Sequence, residues 1–207
     1  MPDTILCRVS RIITFRNKNN KMQFKNFPKF QEGIHFITTK TFRNYPYFKD
    51  EKNCLILLEE LNFYRKKLDF KILGYVIMSD HLHFLIWWDI EKYPELTISK
   101  IMQGIKGHSA IKIRDYINIT GRLEPLLQPK DESRGSHLPH KKGLKYKIWQ
   151  SGFYDFNIIS ERKFLEKLNY IHNNPTKFGL CKNLEDYKWS SYRQFINLDK
   201  NLILKID

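Results

Sequence analysis

The stretch Phe70-Lys71-Ile72-Leu73-Gly74-Tyr75-Val76-Ile77-Met78-Ser79-Asp80-His81-Leu82-His83-Phe84-Leu85-Ile86-Trp87-Trp88 consists of two apolar runs, Phe70 to Met78 and Leu82 to Trp88, separated by little more than Ser79-Asp80. Apolar, β-rich runs on either side of so short a polar break predict a β-hairpin. Outward from it the periodicity changes. Upstream, Asp50 to Leu68 reads as a helix, with Cys54, Leu57, Leu58, Leu61 and Leu68 recurring at helical intervals on one face. Before that, Ile34 to Phe42 is rich in Ile, Phe and Thr and reads as a strand, closed by a turn at Tyr45-Pro46.

Downstream, a second helix is expected from about Leu96 to Asn118, its apolar stripe formed by Ile98, Ile101, Ile105, Ile113 and Tyr116. Tyr146 to Gln150 and Phe153 to Ile159 read as two short strands or one bent strand. Ser160 then caps a helix from Glu161 to about Asn173, with Pro175 expected to end it. The order β α β β α β, followed by one more helix, is the split βαβ pattern. It predicts an α+β fold: a ferredoxin-like, RRM-like antiparallel sheet with two helices on one face and an appended C-terminal helix.

The chain has 207 residues, with 36 Lys+Arg against 22 Asp+Glu, a formal charge of +14. At 42% hydrophobic and 14% aromatic it is too rich in core-forming side chains for a disordered chain. A chain of this length buries roughly 70% of its unfolded surface, so it needs no disulfide scaffold. Cys7, Cys54 and Cys181 are widely spaced, as in a reducing compartment, and no apolar run approaches a membrane span. The expectation is a soluble cytoplasmic protein, associated with the nucleoid and not with a membrane. The charge excess points to a polyanionic partner, nucleic acid first, because each cation that displaces a condensed counterion adds affinity.

That charge is uneven. Residues 1 to 30 carry seven basic side chains against one acidic and read as a basic arm, with a short strand at Leu6 to Phe15. Residues 120 to 147 form a basic loop, residues 31 to 195 a single domain around it, and residues 196 to 207 a tail.

Three features carry chemistry. His81-Leu82-His83 opens a strand, so both imidazoles share a face and could chelate one metal ion; taken alone, the pair also fits two exposed strand residues. Tyr170 lies nearly opposite the apolar side of its helix, made by Phe164, Leu165, Leu168 and Ile171, so its phenol is presented away from that helix's core or is a surface tyrosine. Asn174 follows four residues later and lies beside Tyr170 if the last turn stays helical. His108, His137 and His140 read as surface residues, and His172 as a packing or capping residue.

Five successive blocks resemble the REP-associated tyrosine transposases of the single-tyrosine HUH superfamily. They are Gly74 to Ile86, Ser99 to Gly107, Ile148 to Asp155, Tyr170 to Leu180 and Asp186 to Tyr192, in order along most of the chain. Ser79-Asp80 stands where that family usually has Pro-Asn, and the stretch from Thr120 to Tyr146 is longer than usual. The resemblance implies a ferredoxin-like domain that cleaves and rejoins single-stranded DNA at hairpins through a 5′-phosphotyrosine intermediate. It implies Tyr170 as nucleophile and His81, His83 and Asn174 as ligands of Mg2+ or Mn2+. The asparagine, DNA phosphate and water would supply the oxygens that hard cations prefer.

Arg11, Arg16, Lys18, Lys100 and Lys106 are candidate phosphate contacts, and Trp149 and Tyr154 candidate stacking platforms for unpaired bases. The site would be built within a monomer or shared across a homodimer. Two other readings stand beside this one: a non-catalytic hairpin-binding protein, and a metal-dependent hydrolase in which Tyr170 only positions substrate. If the basic arm supplies affinity alone, neutralising several of its residues weakens DNA binding broadly yet spares cleavage at saturating DNA. Titrations over a salt series, set beside cleavage rates, check this.

Overall fold

A computed structural model of the chain describes residues 33–121, 147–196 and 204–206. The basic arm with its Leu6 to Phe15 strand, most of the basic loop and most of the tail lie outside the described residues. Four strands form one antiparallel sheet: β1 (Ile34–Lys40), β2 (Lys71–Ile77), β3 (His81–Trp87) and β4 (Tyr154–Ile158), in the order β2-β3-β1-β4. The main helices are α1 (Glu51–Leu68), α2 (Ile98–Thr120) and α3 (Glu161–Lys177). The expected α+β ferredoxin-like topology is therefore the observed one.

Strand alternation gives the sheet two buried faces. On the first, Ile37, Tyr75, Ile77, Leu82, Phe84 and Ile86 pack with Leu57 and Leu61 of α1 and Ile101, Ile105 and Ile113 of α2. On the second, Phe36, Val76, Leu85 and Ile158 meet Phe164, Leu168 and Ile171 of α3. Full burial of such side chains contributes about 1.5–3 kcal/mol each. Both faces being covered explains why β2 and β3 read as nearly unbroken apolar runs.

A register shift between Ile72 and Gly74 breaks strict alternation in β2. It turns Tyr75 toward the first face, and Gly74 gives α3 close access: a Cβ there would meet Leu168 Cδ1 at 2.7 Å.

The helix boundaries follow their caps. Asp50 starts α1 by accepting from Lys52 N, Thr97 starts α2 by accepting from Lys100 N, and Ser160 starts α3 by accepting from Lys163 N. One expectation needs correcting. Pro175 does not end α3, which continues to Lys177 with Pro175 buried inside it. The stop comes instead from Gly179 in the left-handed region (φ 69°), with Gly179 N donating to Thr176 O and Leu180 N to Pro175 O, a Schellman closure. Of the two short strands expected after the basic loop, only Tyr154–Ile158 forms one; Trp149 makes a single bridge to Thr41.

The outer edge of β2 is covered by the segment after α3. Ile77 N donates to Trp189 O, Ser191 N to Tyr75 O, and the Tyr187 hydroxyl to Ile77 O at 2.7 Å. Ser191 Oγ also accepts from Tyr75 N and bonds His172 Nε2 at 3.1 Å. His172 is thus a packing residue, held between Tyr192 and Phe195. Leu204 is fully buried against the first core, although it lies in the stretch read as a tail.

Two stability predictions follow from this packing. Gly104 of α2 lies against α1 so closely that a Cβ would stand 2.3 Å from Tyr64 Cε1. Gly104→Ala is expected to cost about 1–3 kcal/mol despite alanine's better helix propensity. Urea unfolding measures this, and Tyr64→Leu should relieve it. Burial pushes His172 from 6.5 down to about 3. Between those values the unfolded chain binds a proton that the folded chain refuses, so this part of the stability is complete above the upper value and falls as pH drops toward the lower. His172→Gln keeps a polar partner for Ser191 and should flatten the decline, as read from unfolding curves over a pH series.

Candidate functional site

The site begins at the Ser79-Asp80 turn. Thr41 N donates to Asp80 O at 2.8 Å, the Thr41 hydroxyl is shared between Tyr45 O at 2.7 Å and Asp80 O at 2.9 Å, and Phe48 N donates to Ser79 O. These bonds fix where β3 starts, with His81 opposite Lys40 and His83 opposite Thr38. His81 and His83 consequently share the second face, their ring centroids 4.7 Å apart. His83 stacks against Phe36, and His81 bonds Asp80 Oδ1 through Nδ1 at 2.5 Å.

Helix α3 crosses this face and brings Tyr170 to it. The Tyr170 ring lies 5.2 Å from that of His83 and 5.9 Å from that of Phe36, edge-on to both, while the residue remains 42% exposed. One turn later, Asn174 is buried, and its Nδ2 donates to Tyr170 O at 3.0 Å. Because the helix continues through Pro175, Asn174 keeps the helical offset from Tyr170 that the sequence made conditional.

Burial keeps His83 in the neutral form. Burial, then the charges of His81, Lys40 and Lys167, press His83 from its ordinary value down to about 3. Its Nδ1 bonds Thr38 Oγ1 at 2.7 Å. Where Nδ1 of each histidine carries the proton, to Thr38 and to Asp80, both Nε2 lone pairs are left for a cation. Asn174 Oδ1 is buried without a hydrogen-bond partner among the described residues, an acceptor of the hard-oxygen kind that Mg2+ or Mn2+ favours. Among the described residues no three His, Cys, Asp or Glu side chains gather as a metal-holding group; two imidazoles and an amide oxygen are a different donor set, and one that fits a divalent ion.

The candidate DNA contacts separate. Tyr154, 52% exposed, stands on the same face beside Phe36 at 6.3 Å. Trp149 does not: it is 5% exposed, packed against Phe48 in the first core with Nε1 donating to Ser109 Oγ. The expectation that it stacks on bases is corrected accordingly, because its ring is already occupied. Lys106 and Lys100 belong to α2, on the opposite side of the sheet from Tyr170. Lys106 is partly buried, its ammonium donating to Gln150 O at 2.8 Å, with burial and then Lys147 lowering its pKa; it fastens a loop. Lys100 donates to Glu95 O. Arg11, Arg16 and Lys18 lie outside the described residues.

Sequence reasoning did not single out Thr38, Lys40 or Lys167, and it read Asp80 only as a turn residue. Thr38 and Lys40 had a usable signal, since strand alternation from Phe36 places them on the histidine face.

Among curated proteins, none matches the chain. Solved structures similar to it include two transposase structures. One, a REP-associated tyrosine transposase bound to a REP hairpin, is 16% identical, with a TM-score of 0.57 over 90% of this chain and 92% of the other. That likeness shows the fold. The other, a candidate transposase from Deinococcus radiodurans R1, is 16% identical, with a TM-score of 0.43 over 72% of this chain and 95% of that one. The family model described as IS200-like transposase matches residues 28–123, from before β1 through α2 and so including both histidines. Over that span the chain is similar to the IS200-like transposases.

Proposed function

We propose that the protein cleaves and rejoins single-stranded DNA at hairpin sequences, with Tyr170 as nucleophile and with Mg2+ or Mn2+ held by His81, His83 and Asn174. The observation that carries this reading is the Tyr170 ring 5.2 Å from His83 on a face that also holds His81. The fold's likeness to a transposase bound to a REP hairpin supports the choice of hairpin DNA.

A phenol with a pKa near 10 is a weak nucleophile at neutral pH. When bound, the divalent ion polarises the scissile phosphate and offsets charge developing on its oxygens. The chain's residues do the rest. The Tyr170 hydroxyl attacks phosphorus and yields its proton to solvent; the new Tyr–O–P bond replaces the P–O3′ bond, and the departing 3′ oxygen takes up a proton. The ester retains the bond energy, so a second 3′ hydroxyl reverses the step and joins a new strand without a nucleotide cofactor. Asp80 and Thr38 orient the two imidazoles, and Asn174 places its free oxygen one turn from the nucleophile.

The test uses a labelled single-stranded hairpin with Mn2+ or Mg2+. A covalent protein–DNA adduct should form on denaturing gels, vanish in Tyr170→Phe and fall at least about tenfold in His81→Ala or Asn174→Ala at limiting metal. Cleavage that survives Tyr170→Phe without an adduct would instead identify a hydrolase, and this proposal would fail.

A further inference from the structure

Six aromatic rings make a contiguous file across the site face, Phe178, His81, His83, Tyr170, Phe36 and Tyr154, folded at its middle, where Phe36 also lies 5.5 Å from His83. Successive centroids are 6.4, 4.7, 5.2, 5.9 and 6.3 Å apart. The proposed reaction uses the middle of this file and leaves its Phe178 end unexplained. Phe178 is 60% exposed yet not loosely held. Its N–H donates to Asn174 O, and the next residue, Gly179, closes the helix in the left-handed region. An apolar ring exposed beside His81 forgoes the gain of burial and contributes little to the core. It does offer an exposed flat face beside His81.

Lys167 is the second unexplained group. Its ammonium sits over three rings, 4.8 Å from Phe36, 5.1 Å from Phe156 and 5.9 Å from Tyr170. It makes no ion pair among the described residues, so the rings hold its charge beside the phenol without neutralising it. A cation next to Tyr170 and an exposed ring next to His81 offer a single strand two separate contacts, charge for a phosphate and a π-face for a base.

We infer that Phe178 and Lys167 form a single-stranded-DNA subsite, in which an unpaired base stacks on Phe178 and the phosphate facing Tyr170 is bound by Lys167. The inference rests on the proposed reading that the site takes single-stranded DNA, but not on the covalent step.

The experiment measures binding by full-length Tyr170→Phe protein in EDTA, where neither cleavage nor metal contributes, with an oligothymidylate and a paired duplex of equal length as probes. Phe178→Ala should weaken oligothymidylate binding about tenfold, within the range stacking on one aromatic supplies, and leave duplex binding unchanged; Phe178→Trp should restore it. Lys167→Gln should lower the slope of log affinity against log salt by about 0.7, the value of one single-strand phosphate contact, and Lys167→Arg should restore it. Thermal melting identical to the parent's excludes misfolding. A Phe178→Ala affinity equal to the parent's, an equal loss on duplex, or an unchanged Lys167→Gln slope overturns the subsite. No oligothymidylate binding by the parent overturns it together with the single-strand reading. Intact binding with no adduct at Tyr170 defeats only the transesterification.

Discussion

The donation from Thr41 N to the Asp80 carbonyl decides where β3 begins, and the site face depends on that. Side chains in a strand alternate, so a slip of one residue would carry His81 and His83 to the face under α1 and α2 and bring Leu82 and Phe84 out. Leu82 and Phe84 are completely buried, and exposing both would forfeit about 3–6 kcal/mol. The placement of the histidines is therefore guaranteed by hydrophobic burial on the other side of the sheet. Thr41 fixes the turn, and Leu82 and Phe84 make the alternative register prohibitive.

The second face obeys a different constraint. It is covered by one helix, α3, whose approach is set by Gly74 beneath Leu168, and the cover is incomplete. Where Phe164, Leu168 and Ile171 reach the sheet the face is dry. Beyond them lie His81, His83 and Tyr170, polar groups on an apolar floor. A site of this kind favours electrostatic work, since a charge at its edge is poorly screened. The depression of the His83 pKa by burial shows the same environment acting on a group that must stay neutral to be a ligand.

Much of this was readable from local pattern. The hairpin, the two helical stripes and the shared face of His81 and His83 follow from periods of two and 3.6 residues, and the Tyr170–Asn174 pair follows from the pitch of one helix. Contacts between distant segments leave no such trace. Nothing in the sequence near Trp149 announces Ser109 as its hydrogen-bond partner, and nothing near Lys106 announces the carbonyls of the loop at Gln150. Both residues have the composition of a nucleic-acid contact and the surroundings of a structural one. Pro175 misled for another reason: a proline in the last turn removes one donor but does not forbid the turn, and Gly179 supplies a better stop. Lys167 went unnoticed because the rings of Phe36 and Phe156 come to it from the distant strands β1 and β4.

The histidines belong to the sheet, whereas Tyr170 and Asn174 travel together on α3, a helix held mainly by one row of apolar side chains. Local opening of a protein proceeds in cooperative units, and both groups lie on this one element. Undocking it would withdraw the hydroxyl and the amide oxygen in a single event and leave the imidazole pair behind. Under the proposed function the arrangement would work like a two-key lock, with neither half reactive toward DNA by itself.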